Sequence, residues 1–461
     1  MKNIFRNSLF AAVLISSVIG TGCNKKLDID PRQSVDVENA LNTAADIESA
    51  IIGGYSIMGR GSLFGNNLLM LPELLVPDYN IDWYGTFRSY SDIYNSSQDK
   101  FNAEAARTWA SGYEAINVAN SVLDAIDIVT DTDDKSRIEG EAYFIRGLMY
   151  FELLRLYSNP DQTKNNNLGI PIVLTPSKNE TDASRRDPRS TIDQVYTQIK
   201  SDLNAAISRL PGSNEVGRAT RWAAMAIMAR VHLQLEEYEE ARDLASEVIE
   251  NGPFSLNSGV TSVFYNKNTP ESIFEIQQND QNTAFNSNDG LTTFYGNWPN
   301  GVGRADIEIN YDFYFDQENE NDQRFTELFD FGTAGSPFPT GLYTKKWKDL
   351  GQNIPIIRLA EMYLIRAETN ERLGSEVGQS PEADIEVIRN RAGLEKITAP
   401  TLDDILWERR LELAFEGFRS HDYKRLKDES AFLPWNDDAY VMPIPEREIL
   451  ANTSLIQNAG Y

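Results

Sequence analysis

Cysteine occurs once in 461 residues, at Cys23, and histidine twice, at His232 and His421. One cysteine excludes an intramolecular disulfide and a cysteine-based zinc site. Two histidines leave little for a general base, and no H-E-x-x-H, G-x-S-x-G or G-x-x-x-x-G-K-[ST] run occurs, so no catalytic centre, metal or cofactor is expected. Positive charge is also scarce: 43 Lys plus Arg stand against 69 Asp plus Glu, a formal charge of −26. A surface that acidic repels phosphate backbones, which argues against nucleic acid and disfavours polyanionic ligands unless a local basic pocket overrides the field. What is present is globular composition, 41% hydrophobic and 24% charged. The chain is long enough for two lobes or an elongated helical array.

Lys2 and Arg6 precede the apolar run Leu9 to Ile19. That run is far below the roughly 20 residues a spanning helix needs and has the build of a signal peptide, over residues 1–22. Cys23 closes Ile19-Gly20-Thr21-Gly22-Cys23, which resembles the lipobox of bacterial lipoproteins, with Gly20 where a larger aliphatic is usual. The resemblance implies that Cys23 is lipidated on sulfur, becomes the new N-terminus and is acylated there too. A buried free thiol is the alternative, but beside Asn24-Lys25-Lys26 it has no core to sit in. Several acyl chains, at about 0.8 kcal/mol per buried methylene, hold a protein at a bilayer where one does not.

Downstream the pattern is mostly α. Ala219 to Pro253 fits a tetratricopeptide frame of two helices meeting near Glu236-Glu237, with Ala229 and Ala241 at the positions of closest approach and Met225, His232 and Ala245 replacing consensus aromatics. His232 is thereby read as a packing residue. The stripes Trp109, Tyr113, Ile116, Ala119, Leu123 and Ala142, Ile145, Met149, Leu153, Leu156 predict further repeat helices, and Asp36 to Met58 another that Gly53-Gly54 weakens near its end. One repeat cannot bury its own face, so several must stack. Between about 255 and 355 the composition turns to Asn, Gly, Tyr and Phe, with short β-like runs such as Ser272 to Gln277. The fold expected is a tetratricopeptide-like scaffold, repeats mainly over 36–254 and 356–426, with a loop-rich insertion carrying short strands.

Three segments near the C-terminus stand out: Ile356 to Glu368, Trp407 to Arg425, and Pro443-Ile444-Pro445 followed by Gln457 to Tyr461. With Leu27-Asp28-x-x-Pro31 and Glu141 to Tyr157 they resemble the SusD/RagB family across essentially the whole mature chain, 23–461; Ala459 stands where that family usually has proline. The resemblance implies an outer-membrane, surface-exposed lipoprotein that captures a glycan and hands it to a SusC-like TonB-dependent β-barrel transporter. Capture of oligopeptides by the same fold, a pure interaction scaffold and a hydrolase are the competing readings.

Thr401 with Asp404 reads as a capped helix start and Gly417 as its stop, a helix to Glu416. Its carboxylate row Glu408, Glu412, Glu416 is read as structural, with Arg409, Arg410 and Arg419 as partners. Ser420-His421-Asp422 invites a triad in which Asp422 pairs with His421, but sequence neighbours point apart. Sugar rings stack on aromatic faces while rim hydroxyls bond to polar side chains, so exposed aromatics among polar groups are the signature to seek. Two loops carry it: Pro77 to Tyr90, with Tyr79, Asp82, Trp83, Tyr84 and Arg88, and Thr293 to Arg304, with Tyr295, Asn297 and Trp298. For each aromatic the alternative is a loop anchor packed on the scaffold. A shared Trp83–Trp298 platform requires the two loops to converge.

Overall fold

The computed structural model describes residues 41–461 except residue 79 and the segments 280–289, 298–302, 316–320 and 333–337. Residues 1–22, expected to be a signal peptide, and Cys23, Leu27-Asp28-x-x-Pro31, Tyr79 and Trp298 lie outside the described residues.

The stretches with helical period fold as helices. α1 (Ala44–Met58) opens on a capping box made by Thr43 and Asp46. It runs unbroken through Gly53 and Gly54, because Gly54 lets Ile145 and Val118 approach where a side chain would crowd them. α2 (Asn67–Leu75) and α3 (Arg88–Tyr94) lead into the long helices α4 (Ala103–Ala125) and α5 (Thr132–Tyr157). These bury Trp109, Ile116 and Ala119, and Ala142, Ile145, Met149, Leu153 and Leu156. α6 (Ile192–Arg209), α7 (Arg221–Gln234) and α8 (Tyr238–Asn251) continue the series. Between α7 and α8 the chain turns at Glu236, in the left-handed region with φ 59°, where the repeat frame places its bend. Beyond the insertion come α9 (Leu359–Leu373), α10 (Pro381–Arg391), α11 (Leu402–Glu412) and α12 (Arg419–Leu426). Neighbours pack in order, α1 on α4, then α4 to α9 each on the next, with α10 and α11 both on α9. Each helix thus buries a face that its own repeat leaves open.

Buried ion pairs lock the layers. Arg146 on α5 grips Asp202 on α6 at 2.9 and 2.7 Å, Arg230 on α7 grips Glu361 on α9 at 2.8 and 2.6 Å, and Arg366 on α9 grips Asp384 on α10 at 2.9 and 2.7 Å. Desolvation offsets much of the attraction in such pairs, so their forked geometry fixes helix register more than it adds net stability.

Short strands pair antiparallel: β1 (Ile81–Trp83), which lies before the insertion, with β3 (Ile307–Ile309), β2 (Ser272–Ile276) with β6 (Ile354–Arg358), both across long separations, and β4 (Phe329–Phe331) with the nearby β5 (Leu342–Thr344). The second helical stretch therefore starts at Leu359 and not at Ile356. The isoleucines of β6 are taken up by pairing with β2, a surface that β-branched side chains fit well.

The row Glu408, Glu412, Glu416 is structural, but its partners are not the arginines beside it. Glu408 pairs with Arg324 and Arg389, Glu412 with Arg358 and Arg391, and Glu416 with Arg358 and Lys346. Arg409 bonds Asp422 instead, at 2.8 Å, while Arg410 and Arg419 lie over the Trp407 and Tyr423 rings. Arg409 stands three residues before Glu412, a spacing that allows contact, but its guanidinium is taken by Asp422, and cations from the insertion, β6 and α10 reach the carboxylates instead. α11 also stops at Glu412, short of Glu416. Lys346 Nζ takes the carbonyls of Glu412 and Ala414, each at 2.9 Å, and Arg358 takes that of Glu412 at 2.8 Å, so these groups end the helix ladder. Gly417, at φ +84°, still closes the segment, with a Cβ there set to strike the Leu68–Leu69 backbone.

Candidate functional site

β1 and β3 alternate strictly. Ile81, Trp83, Ile307 and Ile309 face inward, which turns Asp82 and Glu308 outward, and the register sets those two carboxylates opposite one another. Opposed like charges are unfavourable unless other groups take them up. Asp82 accepts from Tyr94 Oη at 3.2 Å and from Asn310 Nδ2 at 3.0 Å. Burial, and then the Asp82 charge, pushes the Tyr94 hydroxyl up to about 12. Burial likewise raises Glu308 above the usual carboxylate range, with Asp82 adding to it.

Aromatic rings gather beside this acidic pair. Tyr84 leaves the end of β1 and is 62% exposed; its backbone N–H is held by the Asp306 carbonyl at 2.8 Å. β5 packs beside β3 and carries Tyr343 close to Glu308, where Gly341, at φ +103°, is required because a Cβ would stand 2.8 Å from the Glu308 carboxyl carbon and 2.9 Å from Tyr343 Oη. Tyr311, just after β3, and Phe331, on β4, face each other with ring centroids 6.4 Å apart, both partly exposed. Phe338 is exposed by 47%, and its backbone is clamped in two bonds by the Asn297 side chain, at 2.7 and 3.1 Å. Tyr84 and Tyr311 thus stand outward at the ends of the strands that carry Asp82 and Glu308, with Phe331 against Tyr311 and Phe338 exposed between β4 and β5. Apolar faces and carboxylate acceptors stand together there, as a polyhydroxylated ring requires.

The structure brings the two sequence-marked loops together but divides their residues. Trp83 is only 8% exposed, donates from Nε1 to Ser91 Oγ at 2.8 Å, and packs its indole on Tyr90 and Phe294 at 5.6 and 6.1 Å. That is the position of a loop anchor, and it joins the two loops. Tyr295 is fully buried near Phe415, and Asn297 is buried as the clamp on Phe338. Tyr84 and Arg88 are exposed, Arg88 facing Asp92 at 3.4 Å. Arg304 lies over Phe87 and Phe294, 4.7 Å from each ring, and pairs with Asp306 at 2.7 Å, sealing the seam. Tyr311, Phe331, Phe338 and Glu308 were missed by sequence reading. Their only local signal is aromatic density over 311–343, which does not say which rings face out.

The histidines are placed as follows. His232 bonds Glu237 through Nδ1 at 2.5 Å. Asp422 pairs with Arg409 and Arg425, not with His421, so the Ser420-His421-Asp422 run does not assemble.

Two family models match: one described as starch-binding and associating with the outer membrane, over residues 27–233, and one described as the SusD family, over 338–436. SusD-like protein P2 of Formosa agariphila is 26% identical over 98% of this chain and 99% of its own length. Starch-binding protein SusD of Bacteroides thetaiotaomicron is 23% identical over all of both chains. Among solved structures, a SusD superfamily protein from Bacteroides thetaiotaomicron superposes with a TM-score of 0.80 at 26% identity, covering 90% of this chain and 99% of that one. Surface glycan-binding protein A from Bacteroides uniformis shares the fold at a TM-score of 0.77 and 21% identity, covering 90% and 100%.

Proposed function

The chain belongs to the SusD family, and from that premise we propose that it is a surface lipoprotein which captures a glycan and passes it to a SusC-like TonB-dependent β-barrel transporter. It acts by binding and not by catalysis. Lipid on Cys23 holds it at the outer membrane. The observation that carries the glycan reading is the set of exposed rings Tyr84, Tyr311, Phe331 and Phe338 beside the strands that carry Asp82 and Glu308, assembled from segments far apart in sequence. Exposed rings are otherwise unfavourable in water, and the carboxylates supply the acceptors that sugar hydroxyls need. The names of two relatives, starch-binding protein SusD and surface glycan-binding protein A, point the same way. Trp298, between Asn297 and Gly303, is proposed as a further ring of this site, with Arg88 at its edge.

Calorimetric titration with a panel of oligosaccharides, and with a panel of short peptides, tests the reading. Tyr84→Ala and Phe338→Ala should each weaken glycan binding by about 1–2 kcal/mol with an unchanged melting temperature. Trp83→Ala should do the reverse, lowering stability by about 3–5 kcal/mol because it removes a buried indole. Saturable binding of peptides without glycans would move the assignment to oligopeptide capture. Transfer to a transporter is tested separately, by co-purification of an integral β-barrel from mild detergent.

A further inference from the structure

A cavity of about 200 Å³ lies where the last turn of α5, the first turns of α6, the end of α7 and α12 meet. Arg155, Ser158, Tyr196, His421, Lys424 and Trp435 are among its lining residues, and it shares none with the aromatic patch. Three of them keep a buried polar atom without a hydrogen-bond partner among the described residues: Arg155 Nε, Ser158 Oγ and His421 Nε2. All three residues are at least nine-tenths buried. Each such atom leaves its desolvation uncompensated, by roughly 1–3 kcal/mol, and native proteins seldom tolerate one without a ligand or water to satisfy it. All three belong to residues that line this one cavity.

The charges say by what. Lys424 is buried, and its ammonium donates to the carbonyls of Arg155 and Tyr440 at 3.0 and 3.3 Å. An ammonium has three donors, and no carboxylate stands within ion-pair distance of this one among the described residues. Arg155 and Arg425 are balanced by Glu152 and Glu368, each at 2.6 Å, while Lys427 at the rim lies 3.5 Å from Glu236, which also lines the cavity. Arg155, Lys424, Arg425 and Lys427 line the cavity against the carboxylate of Glu236, so the lining is positive in a chain of charge −26. Burial, and then the neighbouring Arg155, presses the Lys424 ammonium down to about 7, which is the mark of a cation short of a counter-charge.

We propose that this cavity binds an oxyanion, the carboxylate, sulfate or phosphate of a small molecule, held by Lys424, Arg155 and the Ser158 hydroxyl. Ammonium, guanidinium and hydroxyl donors are the set that such a group satisfies with charge-assisted bonds. Tyr196 and Trp435 stand beside it as apolar walls for a carrier ring. The inference rests on the cavity's own atoms, so it stands or falls independently of the glycan reading.

The mature protein is titrated calorimetrically with sodium sulfate, sodium phosphate and sodium glucuronate, against sodium chloride at matched ionic strength and against glucose. Saturable binding of at least one oxyanion, without binding of glucose, is expected. Preference for glucuronate identifies a carboxylate on a carrier, and preference for sulfate or phosphate identifies a free inorganic ion; both support the site. Lys424→Met should weaken that binding by about tenfold, the loss of one charge-assisted bond, and Ser158→Ala by several-fold. If Lys424→Met does not fold, Ser158→Ala decides, since it removes one hydroxyl and no charge. Unchanged affinity in Ser158→Ala, or heats for all three anions equal to those of chloride, would overturn the proposal and leave the cavity to water.

Discussion

Arg358→Ala should lower the free energy of unfolding by about 3–5 kcal/mol, the range for breaking a buried ion pair from one side. Its guanidinium is 2% exposed and holds Glu416 through two bonds of 2.9 Å, Glu271 at 3.1 Å, and Glu412. Around it five acidic side chains, Glu271, Asp322, Glu408, Glu412 and Glu416, are matched by Arg324, Lys346, Arg358, Arg389 and Arg391. Removing one cation leaves a carboxylate buried and uncompensated. Urea denaturation of the variant beside the wild type measures the loss, and a difference below about 1 kcal/mol, the size of an exposed pair, would show that the cluster is no brace.

The same cluster sets a pH dependence. Burial alone would raise Glu412, yet Arg391 and Arg358 hold it well below the usual carboxylate range, and Arg358 with Lys346 lowers Glu416 against burial too. A carboxylate with a depressed folded pKa adds stability that is present above its ordinary value of 4.5 and is lost as the pH falls through the folded value. Glu73 has the opposite sign: burial raises it to about 7, so its contribution is complete below 4.5 and is lost as the pH rises through 7. The deficit of Arg358→Ala should therefore be largest near neutrality and shrink in acid, where the stranded carboxylates are protonated. A deficit independent of pH would assign the loss to packing.

Cys23→Ala should move the protein from the membrane fraction to the soluble one, with its helical content intact. No helix among the described residues is long and apolar enough to cross a membrane, so under the lipoprotein proposal the acyl chains on Cys23 hold the chain at the bilayer. A single chain gives only marginal, reversible attachment, and several give a stable one. Loss of the sulfur removes the site at which this modification begins. Cell fractionation followed by circular dichroism of the released protein checks both halves of the expectation. Unchanged partitioning would count against the anchor.

What sequence alone determined was whatever is encoded within a few turns of chain. The apolar stripes of α4, α5, α7 and α8 are spaced by helix geometry, so they could be read before any neighbour was known. The bend at Glu236 and the Thr401–Asp404 capping box are equally local. The family motifs are runs of adjacent residues, and family membership was legible from them. The tertiary structure decided pairings between remote segments. That β1 meets β3, that Arg324, Arg358 and Arg391 and not Arg409 or Arg410 answer the carboxylates of α11, and that Trp83 turns in while Tyr84 turns out follow from which surfaces stack. A side chain's local neighbours set its direction relative to its own helix or strand, but whether that direction meets water or another layer depends on chain hundreds of residues away.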